Sequence, residues 1–127
     1  FANEAEITSL YEVDDFDTAL QHVRGAVEIA ALTRSEKGAV ILKGDEVHVI
    51  DAAEIEHLVD TTGAGDLFAA GFLHGLTKGM DLHQCGRLGV LSAGAIIQQY
   101  GPRAERSLEP LIDQARDAHA KLAVAAA

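Results

Sequence analysis

Apolar residues recur along this chain in two rhythms. Phe16, Leu20, Val23, Val27 and Ala30 fall three or four positions apart, which predicts an amphipathic helix over roughly 16–29. A shorter helix is predicted from Asn3 to about Leu10, because Asn3 followed three residues later by Glu6 has the spacing of a capping box. Phe1-Ala2-Asn3 in front of it reads as the last residues of a strand. Ala30–Thr33 reads as a short strand, Thr33–Gly38 as a polar turn and Ala39–Leu42 as a buried strand. Gly44-Asp45 is a hairpin signal, and Glu46–Ile50 returns with period-two alternation.

After a weakly patterned stretch over 52–59, three helices are predicted. The first covers Ala64–Lys78 with Gly79 as its stop. The second covers Leu82–Tyr100, with Leu82, Cys85, Leu88, Gly89, Ala95 and Ile96 on one stripe. The third runs from Glu109 to about Val124, with Leu111, Ile112, Ala115, Ala118, His119 and Leu122 inward. His74 is expected to pack rather than react. Mixed strands and helices imply a layered α/β fold. The strands are few for so many helices, and Phe1 stands where an initiator methionine would, so residues 1–127 are expected to be the C-terminal part of a longer protein.

Charge narrows the choice of partner. With 10 basic against 20 acidic residues, the net charge is −10, which argues against nucleic acid or an anionic membrane surface. Nucleotides stay open, because backbone amides hold phosphate without net positive charge. A single cysteine, Cys85, allows no internal disulfide; it suits a cytoplasmic setting and reads as a small core side chain. The six histidines lack metal-ligand spacing, and no apolar run reaches membrane-spanning length.

The chemistry concentrates in Asp60-Thr61-Thr62-Gly63-Ala64-Gly65-Asp66, directly before the apolar run LFAAGFLHGL. It is neither a P-loop nor a dinucleotide fingerprint, since Phe68 occupies the third glycine position. Glycines at a loop-to-helix junction let backbone N–H groups converge where the helix dipole favours an anion. Asp66, in that first turn, is either a helix-start acid or a base beside the anion. Asp60 and Thr62 read as an Asx or ST turn. The small residues of the following helix read as close packing.

DTTGAGDLFAAGF resembles the C-terminal signature of the PfkB, or ribokinase-like, carbohydrate kinases. Asn3-Glu4-Ala5-Glu6 is similar to that family's N-x-x-E segment, and Thr33-Arg34-Ser35-Glu36-Lys37-Gly38 to its T-x-G-x-x-G segment, with Ser35 where glycine is common. Ser92–Arg103 resembles its adenine- and cation-flanking helix and loop.

The resemblance implies a ribokinase-like three-layer α/β/α fold and a kinase moving the γ-phosphoryl of ATP to a sugar or nucleoside hydroxyl. It implies Asp66 as general base and the amides of Gly63, Ala64, Gly65 and Asp66 as an anion hole. Asn3, Glu6, Thr33, Ser35, Lys37, Gly38, Ser92 and Ile96 are the implied nucleotide-site residues. Glu6 is implied in the outer shell of Mg2+, and Asp60, Thr62 and Gly101 at a candidate K+ site. The N-terminal half of the same protein and a second copy in a homodimer are the implied protein partners. IIQQYGPR, residues 96–103, looks closest to the adenosine-kinase-type branch. A non-catalytic nucleotide-binding or assembly module is the alternative if the chain is complete.

Overall fold

The computed structural model describes residues 1–116. Strand β1 (Ala2–Asn3) runs directly into helix α1 (Glu4–Leu10), followed by α2 (Phe16–Val23), β2 (Ala30–Thr33), a 3-10 turn (Ser35–Lys37), β3 (Ala39–Lys43) and β4 (Glu46–Ile50). A long irregular segment then leads to α3 (Ala64–Thr77) and α4 (Leu82–Ile96). Residues 110–116 are helical, with Leu111 and Ile112 half-buried and Ala115 buried. Ala118, His119 and Leu122 lie outside the described residues.

The strands form one sheet in the order β1-β2-β3-β4, with β1 and β2 parallel and the remaining pairs antiparallel. Alternation along β2 and β3 feeds two cores. Ala30, Leu32, Val40 and Leu42 face α1 and α2, where they meet Ile7, Phe16, Ala19 and Val23. Ala31, Ala39 and Ile41, with Ile50 of β4, face α3 and α4, where they meet Phe68, Phe72, Cys85 and Leu88. The result is the expected three layers, helices on both sides of a sheet. Each buried phenylalanine contributes roughly 2–3 kcal/mol on transfer from water.

Helices α3 and α4 approach closely because glycines line their contact. A Cβ on Gly71 would lie 2.7 Å from Ser92 Oγ and 2.9 Å from the Leu88 carbonyl oxygen, and one on Gly89 would lie 2.8 Å from the Phe68 ring. Turning this small-residue face inward leaves His74 on the exposed side of α3, contrary to its expected packing. No helix among the described residues is long and apolar enough to cross a membrane.

Two helices are shorter than their periodicity suggests. Helix α2 stops at Val23 because Gly25, at φ +82°, turns the chain before Val27. Helix α4 stops at Ile96, and the Ile97 carbonyl accepts the N–H groups of Val59 at 2.8 Å and Asp60 at 3.1 Å.

Register fixes where the loops emerge. Asn3 pairs with Thr33, Thr33 with Ala39, and Ala39 with Ile50. The segments that follow β1, β2 and β4, and the one that precedes β3, therefore gather at one end of the sheet. That end holds the carboxyl termini of the parallel pair, the usual ligand side of open α/β sheets.

Candidate active site

The Asp60–Asp66 loop is held from two directions. Within it, Asp60 Oδ1 accepts the Thr62 backbone N–H at 2.9 Å and the Thr62 hydroxyl at 2.6 Å, the expected Asx turn. From the far side of α4, Gly101 donates its N–H to Asp60 Oδ2 at 2.9 Å. These donors, led by the Thr62 hydroxyl, hold the Asp60 carboxyl below its ordinary range. Upstream, the loop is stitched along α4. Glu56 donates its N–H to Gln98 Oε1 at 3.2 Å, and Ala53 and Ile55 pack where a Cβ on Gly94 would otherwise stand.

Gly63, at φ +84°, is the N-cap of α3, and Leu67 donates its N–H to the Gly63 carbonyl at 2.9 Å. The Ala64 amide donates to the Thr61 carbonyl at 3.2 Å. The amides of Gly65 and Asp66 have no acceptor among the described residues, as first-turn geometry dictates. A Cβ on Gly65 would meet nothing within 4 Å, so packing does not explain the glycine, and the space in front of it is open. Asp66 is exposed in this same turn. A loop-to-helix junction thus offers free N–H donors, the positive end of a helix dipole and a carboxylate together.

The α1 entrance lies at the same end of the sheet. Asn3 Oδ1 accepts the Glu6 N–H at 2.8 Å, and Glu6 Oε1 accepts the Asn3 N–H at 2.9 Å, so the capping box forms. Glu6 Oε2 has no hydrogen-bond donor among the described residues.

In the 33–38 turn, Thr33 ends β2, Lys37 is exposed, and Gly38 sits at φ +90° where a Cβ would overlap the Ile50 carbonyl oxygen. Ser35 adopts φ +52°, the left-handed conformation that the glycine usual at this position takes freely. The backbone shape survives there at a cost of roughly 1–2 kcal/mol. Ser92 and Ile96 are placed differently from the rest. They are 3% and 1% exposed and pack in the helix layer, with the Ser92 hydroxyl against Gly71.

Sequence reasoning missed three contributors. Arg34 ties the turn to α1, through a contact spanning 30 residues that no local pattern signals. Pro102, placed in sequence only within the 92–103 resemblance, forms a wall against Gly63. Gln99 closes the loop after α4 by donating Nε2–H to the Arg103 carbonyl and accepting the Glu105 N–H at 3.1 Å.

Among the described residues no group of three or more His, Cys, Asp or Glu is arranged to cage a metal. Mg2+ commonly keeps most of its water, and the spare oxygen of Glu6 suits a water-mediated hold. The residues assigned to K+ meet in one latch, with the Thr62 N–H, the Thr62 hydroxyl and the Gly101 N–H donating to Asp60.

The chain has relatives in both sequence and fold. The chain is 41% identical over 101 residues to an uncharacterised sugar kinase of Archaeoglobus fulgidus, covering 80% of this chain and 40% of that one. Among solved structures, a probable sugar kinase from Rhizobium etli superposes with TM-score 0.87 at 54% identity, covering 91% of this chain and 35% of its own. The adenosine kinase of Sinorhizobium meliloti superposes with TM-score 0.86 at 49% identity, with the same coverage of 91% and 35%. The chain therefore spans well under half the length of these relatives. The profile of the pfkB family carbohydrate kinases matches residues 1–108, across both helix layers and the whole loop cluster, and the chain belongs to that family.

Proposed function

We propose that the protein containing this chain transfers the γ-phosphoryl of ATP to a hydroxyl of a nucleoside or sugar. The carrying observation is the first turn of α3, where the exposed Asp66 carboxylate stands beside the unpaired amides of Gly65 and Asp66. Asp66 accepts the proton of the attacking hydroxyl. As the new O–P bond forms, the bond between the γ-phosphorus and the ADP oxygen breaks. Negative charge spread over the phosphoryl oxygens meets N–H groups that need no reorientation, with Gly63 and Ala64 completing the turn. When bound, Mg2+ supplies charge neutralisation at the phosphate oxygens, and Glu6 is the residue suited to hold its water.

Residues 1–127 act in this reading as the nucleotide-binding part of one kinase domain. The 33–38 turn, with Thr33, Ser35, Lys37 and Gly38, lies at the sheet end that nucleotides favour in α/β folds. Acceptor contacts come from the preceding part of the protein. In support, β1 offers an open parallel edge, with Phe1 62% exposed and Leu73 and Leu76 exposed beside it. A nucleoside is the favoured acceptor, on the strength of the 49% identity to an adenosine kinase.

The test is ADP formation by the full-length protein with MgATP and adenosine, other nucleosides, ribose or fructose. Turnover of a nucleoside is expected, turnover of a sugar alone would move the acceptor class, and no turnover with any acceptor would overturn the reading.

A further inference from the structure

Arg34 commits more of its side chain than any other residue at the loop end of the sheet. Its Nε–H donates to Glu4 Oε2 at 3.2 Å and its Nη2–H to Glu4 Oε1 at 3.1 Å, a fork that uses both carboxylate oxygens. The same guanidinium lies over the Phe16 ring, 4.1 Å from its centroid. Its backbone N–H donates to the Gly38 carbonyl at 2.7 Å, and its carbonyl accepts the Lys37 N–H at 3.0 Å. One residue therefore joins the first turn of α1, the start of α2 and the 33–38 turn.

The electrostatic consequence concerns which carboxylate α1 leaves free. Its first turn carries two, Glu4 and Glu6. Arg34 neutralises Glu4 through this two-point ion pair. Glu6 has no cationic partner among the described residues. A second uncompensated carboxylate in the same turn would repel a polyphosphate arriving at this end of the sheet.

We propose that Arg34 is a positioning residue for the nucleotide: by pairing with Glu4 it leaves Glu6 as the one uncompensated carboxylate that the first turn of α1 offers to the metal-bound phosphates. This rests on the kinase reading above. With its guanidinium engaged by Glu4 and Phe16, Arg34 acts through Glu4. Removing its charge leaves Glu4 as one further uncompensated negative charge in the turn that carries Glu6, and nucleotide binding should weaken roughly three- to tenfold at ordinary salt.

The experiment uses the full-length protein and the variants Arg34→Gln, Glu4→Gln and the double variant. Three quantities are read: the Kd for MgADP by calorimetry, the KM for MgATP and for the acceptor, and the melting temperature without nucleotide. Arg34→Gln should raise both nucleotide constants three- to tenfold and leave the acceptor KM within twofold. The double variant should return the nucleotide constants to within twofold of wild type while melting as low as Arg34→Gln, since both lose the stacking on Phe16. Glu4→Gln, which removes the half-buried carboxylate charge itself, should leave nucleotide affinity unchanged or tighter. The proposal is overturned if Arg34→Gln binds MgADP like wild type, if the double variant stays as weak as the single, or if Glu4→Gln weakens binding. Affinity that simply tracks melting temperature across the set overturns it too, by showing a purely structural role. A wild-type protein that binds MgADP but phosphorylates no acceptor would defeat the kinase reading, while the three Kd values would still decide the role of Arg34.

Discussion

Gly63 and Pro102 meet across the mouth of the site: a Cβ on Gly63 would lie 2.7 Å from Pro102 Cβ and 3.0 Å from its Cα. Together with φ +84°, this contact makes glycine the one residue that fits at the N-cap of α3. The Gly101-Pro102 turn is thus the wall that sets where the α3 amides point.

Gly63→Ala should therefore destabilise the protein by about 1–3 kcal/mol, combining left-handed strain with the clash. Urea unfolding measures this directly. A loss under about 0.5 kcal/mol would mean that the 101–103 turn yields easily and is not a wall.

The companion contact, Gly101 N–H to Asp60, carries a pH signature. The Asp60 carboxyl is depressed in the folded protein, so its contribution is complete above the ordinary value of 3.8 and is lost as pH falls through the lower folded value. The protection factors of the Gly101 and Thr62 amides, exchange rates taken relative to the intrinsic rate at each pH, should hold above that range and fall in acid. Asp60→Ala should speed exchange at both amides at neutral pH, and unchanged exchange would show that the latch does not hold the loop.

Cys85 offers a check on the α3–α4 packing. The thiol is fully buried, within 3.1 Å of where a Cβ on Gly75 would stand, and burial pushes its pKa up to about 11, with the Asp81 charge adding to this. At pH 8 the native protein should react with a disulfide reagent only as fast as it opens, and urea should release full reactivity. Rapid native reaction would mean that the helices separate readily.

Much of this was readable in sequence, and the reasons are local. The capping box of Asn3 and Glu6, the Gly44-Asp45 hairpin and the Asx turn of Asp60 and Thr62 each involve residues two or three positions apart. The unbroken apolar run Ala39–Leu42 read as a buried strand, and all four of its residues are buried. What stayed hidden was set by distant partners. Helix α4 ends at Ile96 because the chain near Val59 claims the Ile97 carbonyl, whereas its apolar pattern continues beyond. Asp60 and Gly101 are 41 residues apart, and only the family resemblance placed them at one site; no local pattern shows the hydrogen bond between them. His74 sits on an apolar stripe, yet the glycines of α3 decide which face turns inward. Ser92 and Ile96 matched by resemblance, but their burial gives them a packing environment that sequence spacing does not display.

The central claim is that Asp66 takes the acceptor proton beside an amide-lined phosphoryl site. Asp66→Asn keeps the size and the helix start while removing the base. In the full-length protein, with the acceptor that wild type turns over best, kcat should fall by roughly 10²–10⁴, the scale of general-base catalysis. The Kd for MgADP should stay within a few-fold of wild type. Near-normal kcat in a folded Asp66→Asn protein would contradict the account.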